Sequence, residues 1–265
     1  MNFDLKILGT ASAMPISDKN PSAQALQVQG RLFLIDCGEG TQQRMRQMHL
    51  SFLKVEALFL SHIHGDHLFG IFGLLSTMAM YGRSEKLHIF APASFAPVLR
   101  FFLSYFGEGV NYEIEHHPLD CKAPELVFSK KNLEVLAFPL QHKIDCFGFR
   151  FNEVLTARQA EKRAPRSFAY CSDTMYFPEL AGWVKGVNLL YHEATYPQAL
   201  ADKAAARFHS TTHDAARTAL EAGVGKLVVA HYTSRERDIS LFEKECRVIF
   251  PNSFAANDGD VFEID

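Results

Sequence analysis

The stretch SHIHGDH, residues 61–67, places His62, His64, Asp66 and His67 within six consecutive positions. Imidazole and carboxylate together are the donor set of Zn2+, Mn2+ or Fe2+ sites. The alternation of His62 and His64 puts both rings on one side of an extended segment. Gly65 then lets the backbone turn, so Asp66 and His67 face a second point. One ion does not readily use four donors aimed at two points, so the spacing predicts two divalent ions and further ligands downstream. His142 follows LEVLAFPLQ, Asp173 follows FAYCS and His231 follows KLVVA, each directly past an apolar run. A carboxylate bridges two cations and a neutral imidazole does not. The expected allocation is therefore His62, His64 and His142 on one ion, Asp66, His67 and His231 on the other, and Asp173 between them. Zinc is the default metal, with manganese or iron also fitting the mixed donor set. A lone histidine past a strand is usually a surface residue, so His142 and His231 gain weight only from the 62–67 block.

The elements that must position these residues are short. LKILG reads as a strand, and ALQVQGRLFLIDCG as a hairpin turning at Gly30 whose second strand ends at Asp36. VEALFLSH reads as a buried strand ending at the histidines, followed by a helix over LFGIFGLLSTMAMYG. Strands follow at LHIF, YEIEHH, LEVLAFPL and FGFRFNE, then at SFAYCS, NLLYHEA and KLVVAHY, with helices at FAPVLRFFLSYFG, near PELAGWV, at STTHDAARTALEAG and at SLFEKECRVIF. Strand pieces SFAAN and DVFEI close the chain. Strands and helices recur in both halves, which predicts two sheets covered by helices, with the ligands in loops just past strand ends.

Bulk properties narrow the class. The chain has 265 residues, room for one large domain or two small ones. A net charge of −3 gives no overall basic excess, so any RNA contact must be local, and no DNA partner is expected. Five cysteines, at 37, 121, 146, 171 and 246, form no C-x-x-C pair and read as small buried hydrophobes in a reducing cytosol. The N-terminus MNFDLKILGT is not a signal peptide, and no run approaches the roughly 20 apolar residues that span a bilayer. The expectation is a cytoplasmic protein with no membrane partner.

The stretches LGTASAMP, IDCGEGTQ, SHIHGDH, LLYHEAT and HSTTHDAA, in that order, resemble the metallo-β-lactamase superfamily. Within it the chain looks like the ribonuclease Z branch, the endonucleases that process transfer-RNA 3′ ends. The H-x-H-x-D-H block marks only the superfamily; DCGEGTQ combined with HEAT and HST narrows it. The resemblance runs from LKILGTASAMP to AHYTSRE, nearly the whole chain. It implies an α/β fold, a four-layer αββα sandwich forming one hydrolase domain over 1–265, with the site at one edge of the two sheets. It implies the same seven ligands and adds Glu193, in HEAT, and His209, in FHSTTH, as residues that assist catalysis. On the residues alone, Glu193 reads as a surface carboxylate at a strand end and His209 as a helix N-terminal residue. His213, four residues on and on the same helix face, makes a competing metal pair with His209. The branch also implies a homodimer.

The implied chemistry is hydrolysis of a phosphodiester. Two divalent ions, two carboxylates and a hydroxide leave about one positive charge, which suits an anionic substrate. A metal-bridged hydroxide would attack phosphorus, with Asp66 orienting it and taking its proton. His209, held by Glu193, would stabilise developing charge or protonate the departing oxygen. The products would be an RNA 3′-hydroxyl and a 5′-phosphate trailer.

Two departures from the branch bear on substrate. Many members carry a long Gly- and Pro-rich arm that grips transfer RNA, between the strand after the His142 position and the strand before the Asp173 position. Here that interval is only FGFRFNEVLTARQAEKRAPRSFAY. Its polar part, 153–166, reads as a surface loop, with Arg158, Lys162, Arg163 and Arg166 either solvated or serving phosphate contacts. The early loop PISDKNPSA has Lys19 and Asn20 but lacks the Arg-Asn pair that members often carry. These departures keep open a metallo-β-lactamase-fold phosphodiesterase or other metal-dependent hydrolase acting on a smaller substrate. A degenerate, non-enzymatic partner in a dimer is a third reading, opposed by the complete ligand set.

Overall fold

The apolar runs become strands and most of the amphipathic segments between them become helices in a computed structural model that describes residues 2–265. The chain divides into two compact units: one holds the residues up to Asp120 together with Asn257–Glu263, the other Cys121–Ala256 with Ile264–Asp265.

The first unit is built on a seven-stranded mixed sheet. Its strands are β1 (Phe3–Gly9), β2 (Ala23–Val28), β3 (Arg31–Ile35), β4 (Val55–Phe59), β5 (Leu87–Pro92), β6 (Ile114–Leu119) and β14 (Val261–Glu263), in the order β14-β1-β2-β3-β4-β5-β6. Pairing is antiparallel from β14 to β3 and parallel from β3 to β6. The β2–β3 hairpin turns through Gln29 and Gly30, both at positive φ (50° and 84°), the backbone that a two-residue hairpin turn favours. The helices are α1 (Thr41–Gln47), α2 (Gly65–Leu68), α3 (Gly70–Met80) and α4 (Phe95–Phe106). Strand residues Leu34, Leu58, Ile89 and Ala91 join Ile71, Leu75, Met78, Phe95 and Phe102 in one buried cluster. The alternate residues Phe33, Phe59 and Phe90 line up on the other face of the sheet.

The second unit mirrors this plan. Strands β7 (Glu125–Lys130), β8 (Leu133–Pro139), β9 (Phe147–Glu153), β10 (Ser167–Cys171), β11 (Leu189–Glu193), β12 (Lys226–Ala230) and β13 (Ser253–Ala255) are ordered β13-β12-β11-β10-β9-β8-β7. Pairs from β7 to β10 are antiparallel and those from β10 to β13 parallel. Its helices are α5 (Ala157–Ala160), α6 (Glu179–Trp183), α7 (Ala201–Arg207), α8 (Thr212–Ala222) and α9 (Ile239–Ile249). All five cysteines are buried and unbridged, as the sequence implied. Burial pushes the Cys37 and Cys246 thiols up to about 12, which keeps them inert. Among the described residues no helix is long and apolar enough to cross a membrane.

Several elements differ from the sequence reading. The single helix expected over 68–82 is α2 followed by α3. Strand β7, ELVFSK, was not anticipated: as an edge strand it is mostly exposed and shows no apolar alternation. Helix α7 was also missed, because ADKAAAR buries only Ala204 and so carries no apolar stripe. The 153–166 stretch is neither a free loop nor an open basic patch. Thr156 and Gln159 cap α5 with a reciprocal box. Arg163 and Arg166 grip the buried Glu153 carboxylate, at 2.6–3.1 Å, so these two guanidiniums are committed within the unit. β9 pairs directly with β10 across this short connection. Asn20, in the early loop, is also engaged, with its N–H and side-chain amide both donating to Asp258 at 2.7 and 2.9 Å.

Candidate metal centre

In the first unit, β3 and β4 run parallel with Ile35 opposite Phe59, so the residues after each strand emerge side by side. Asp36 turns out of β3 in the left-handed region (φ 56°). Its fully buried carboxylate accepts from Ser61 N–H at 2.7 Å, Ser61 Oγ at 2.9 Å and His67 Nδ1 at 2.7 Å. A carboxylate accepts only, so His67 carries its proton on Nδ1 and presents Nε2 as a lone pair. That Nε2 lies 3.6 Å from Asp66 Oδ2. His62 Nε2 and His64 Nδ1 lie 3.0 Å apart. The loop carrying them is clamped by backbone: Cys37 N–H donates to His67 O at 2.8 Å, and Gly70 N–H to Cys37 O at 2.9 Å. Gly38 is required there, since a Cβ would sit 2.5 Å from Asp66 O. At Gly65 the extended segment that carries His62 and His64 turns into a helix, as expected. Gly65 begins α2, and its missing side chain makes room for the Phe69 ring, which a Cβ would meet at 2.4 Å.

In the second unit, the parallel strands β10, β11 and β12 end together, and their carboxyl ends supply Asp173, Glu193 and His231, in the way open α/β sheets present ligands. His231 is held at φ 68°, a costly conformation for a non-glycine residue and one that clusters at functional sites. Glu193 is 1% exposed, not the surface carboxylate the sequence suggested. Its Oε1 accepts from Thr174 N–H at 2.9 Å, Ser210 N–H at 3.1 Å and His209 Nδ1 at 2.9 Å. Its Oε2 accepts from Thr195 N–H at 2.9 Å and Thr195 Oγ at 2.6 Å. Burial works against the Glu193 charge, but the charge and hydrogen bond of His209 outweigh it and hold the carboxyl below its usual range.

The Thr195 hydroxyl gives its proton to Glu193, so it accepts from His231 Nδ1 at 2.8 Å. His142 Nδ1 donates to the carbonyl of Phe208 at 3.0 Å. Both histidines thus present Nε2 lone pairs. Asp173 offers Oδ1 to His231 Nε2 at 3.3 Å and Oδ2 to His142 Nε2 at 3.8 Å. Donor atoms of Asp173, His209 and His231 lie within 4.8 Å of one another. His209 does not lie on a helix with His213. Thr211 and Asp214 form a capping box, so α8 begins at Thr212 and His209 stays in the preceding loop. The competing 209/213 pair therefore has no shared helix face.

Asp36, Ser61 and Thr195 were given no role in the sequence. The only signal was position: Asp36 ends an apolar strand just as Asp173 and His231 follow theirs, and Thr195 lies two residues past Glu193.

The His/Asp clusters of the two units have the donor composition of a dinuclear metal site. Together with the two mixed sheets and flanking helices they define the class: a metallo-β-lactamase-fold, metal-dependent hydrolase. A family model described as a beta-lactamase superfamily domain matches residues 31–232. Ribonuclease Z of Bacteroides fragilis is 34% identical over 295 aligned positions, covering 97% of each chain. Ribonuclease Z of Parabacteroides distasonis is 35% identical over 297, covering 97% of this chain and 98% of the other. The crystal structure of human tRNase Z, short form, matches with a TM-score of 0.84 at 27% identity, over 99% of both chains. The chain belongs to the ribonuclease Z family, the metal-dependent phosphodiesterases of endoribonuclease type. The alignment with the Bacteroides protein is 295 positions long and this chain has 265 residues, so that relative carries residues this chain lacks.

Proposed function

We propose that the chain, acting as one hydrolase domain, removes 3′ trailers endonucleolytically from transfer-RNA precursors, using two divalent ions, zinc by default. His62, His64 and His142 would hold one ion, Asp66, His67 and His231 the other, and Asp173 would bridge them. The observation that carries this reading is the pair of acceptors at His231 and Asp173. With Nδ1–H committed to Thr195, Nε2 faces a carboxylate oxygen at 3.3 Å, an arrangement that a cation between them satisfies. His67, fixed by Asp36, presents Nε2 to Asp66 in the same way.

When bound, the metal pair would lower the pKa of a water and draw charge from the phosphodiester oxygens. The residues do the rest. Asp66 orients the attacking water and accepts its proton. Glu193 and Thr195 fix His209 through Nδ1–H, so that its imidazolium form can donate the Nε2 proton to the departing oxygen and be left as neutral imidazole. Arg163 and Arg166 are committed to Glu153, so of the basic residues in 153–166 only Arg158 and Lys162 remain for phosphate.

A homodimer is part of this reading; Phe101, Tyr105 and Phe106 on α4, 59%, 73% and 62% exposed next to the half-buried Phe72, are apolar surface that a second copy would cover. A cytoplasmic location is the expectation, and the five buried, unbridged cysteines support it.

The test is cleavage of a 3′-extended transfer-RNA precursor by metal-loaded protein beside an Asp66→Ala control. A cut at the trailer junction that the control lacks supports the reading. A small phosphodiester hydrolysed while the precursor stays intact would overturn the transfer-RNA assignment.

A further inference from the structure

We propose a second metal site, apart from the ligand set above, on the β5–β6 edge of the first sheet. It is formed by His88, Glu115 and His117 and takes a single late first-row divalent cation such as Zn2+.

Parallel pairing sets His88 opposite Glu115 and Phe90 opposite His117. Side chains two apart share a face, so His88, Glu115 and His117 converge on one side of the sheet. Three atoms define the site. His88 Nδ1 is 3.0 Å from His117 Nε2 and 3.5 Å from Glu115 Oε2, and His117 Nε2 is 3.9 Å from Glu115 Oε2. A cation equidistant from the corners of that triangle sits about 2.0 Å from each, the length of a Zn–N or Zn–O bond. Two imidazoles and one carboxylate with an open fourth position form a donor set that zinc accepts, with water completing the tetrahedron.

The surroundings favour metal binding. Phe90 stacks on the His117 ring, with centroids 4.5 Å apart, and fixes its direction. The three side chains are 27–39% exposed, so an ion reaches them from solvent. Lys86 is the competitor: its ammonium lies 2.9 Å from Glu115 Oε2. It also lies 2.8 Å from Glu113 Oε1, so it keeps a partner when a metal takes Glu115. β6 is an edge strand with β5 as its one neighbour in the sheet, and an ion shared by His88 and His117 would fasten it there.

The experiment is zinc content after equilibrium dialysis at buffered micromolar free zinc, comparing wild type with His88→Ala/His117→Ala. Ions bound at the candidate metal centre are common to both and cancel in the difference. Wild type should hold about one more zinc per chain, and zinc should raise its melting temperature by a few degrees more than that of the double variant. Precursor cleavage should be unchanged in the double variant. Lys86→Ala, which removes no ligand, should bind the extra ion several-fold more tightly, and it serves as the decisive variant if the double substitution misfolds. Equal zinc content in wild type and the folded double variant, or no gain in affinity with Lys86→Ala, would overturn the proposal.

Discussion

Asp36 and Glu193 are buried carboxylates, one in each unit, and they hold their histidines differently. Asp36 spends its oxygens on one loop: two bonds go to Ser61 and one to His67, a proposed ligand. Glu193 gathers three segments, bonding Thr174, Thr195, His209 and Ser210, and reaches His231 only through the Thr195 hydroxyl. The first arrangement stiffens a contiguous ligand motif. The second positions His209, proposed to act on substrate, and His231, a proposed ligand, from a single hub. The difference teaches that a buried carboxylate behind a histidine does not by itself reveal the histidine's task; the far nitrogen's surroundings do.

That contrast is open to direct attack. The largest effect is expected from His209→Ala, which should lower kcat by about 10²–10⁴-fold while metal content stays at the wild-type level, measured by single-turnover precursor cleavage beside elemental analysis. Metal loss in this variant would make His209 a ligand and erase the distinction between the two hubs. Asp36→Asn should act the other way round. Metal affinity should fall by about 10–100-fold, with activity recovered at high added metal, because the His67 tautomer is no longer enforced. A rate loss that excess metal does not repair would show that Asp36 does more than hold a ligand.

The smallest effect on activity belongs to a third carboxylate, Glu153, which touches neither histidine set. Burial opposes its charge, and hydrogen bonds from Arg163 and Arg166 outweigh that and hold its pKa below the ordinary 4.5. A depressed folded pKa means that the stabilisation is complete above about 4.5 and is lost as pH falls toward the folded value. Glu153→Gln should cost about 2 kcal/mol at neutral pH, flatten the stability profile on the acid side and leave kcat unchanged, as denaturant melts and cleavage assays would show. A change in kcat would mean that the short 153–166 connection takes part in substrate contact.

The residues themselves determined much of this protein. SHIHGDH is legible because its proposed ligands are neighbours in sequence, and alternation brings His62 Nε2 and His64 Nδ1 within 3.0 Å. The apolar strands that end at His142, Asp173 and His231 are equally plain, since each strand must be apolar to be buried. Period and composition say nothing about hydrogen-bond partners. That His67 is set by Asp36, 31 positions earlier, and that Thr195 links Glu193 to His231 follow from which strands lie side by side. The same holds where local reading failed. Arg163 and Arg166 look like a basic patch until β9 and β10 pair and bring them onto Glu153. His88 and His117 look unrelated until β5 and β6 pair in register. Sequence decides which side chains a strand carries and on which face; only tertiary pairing decides which of them meet.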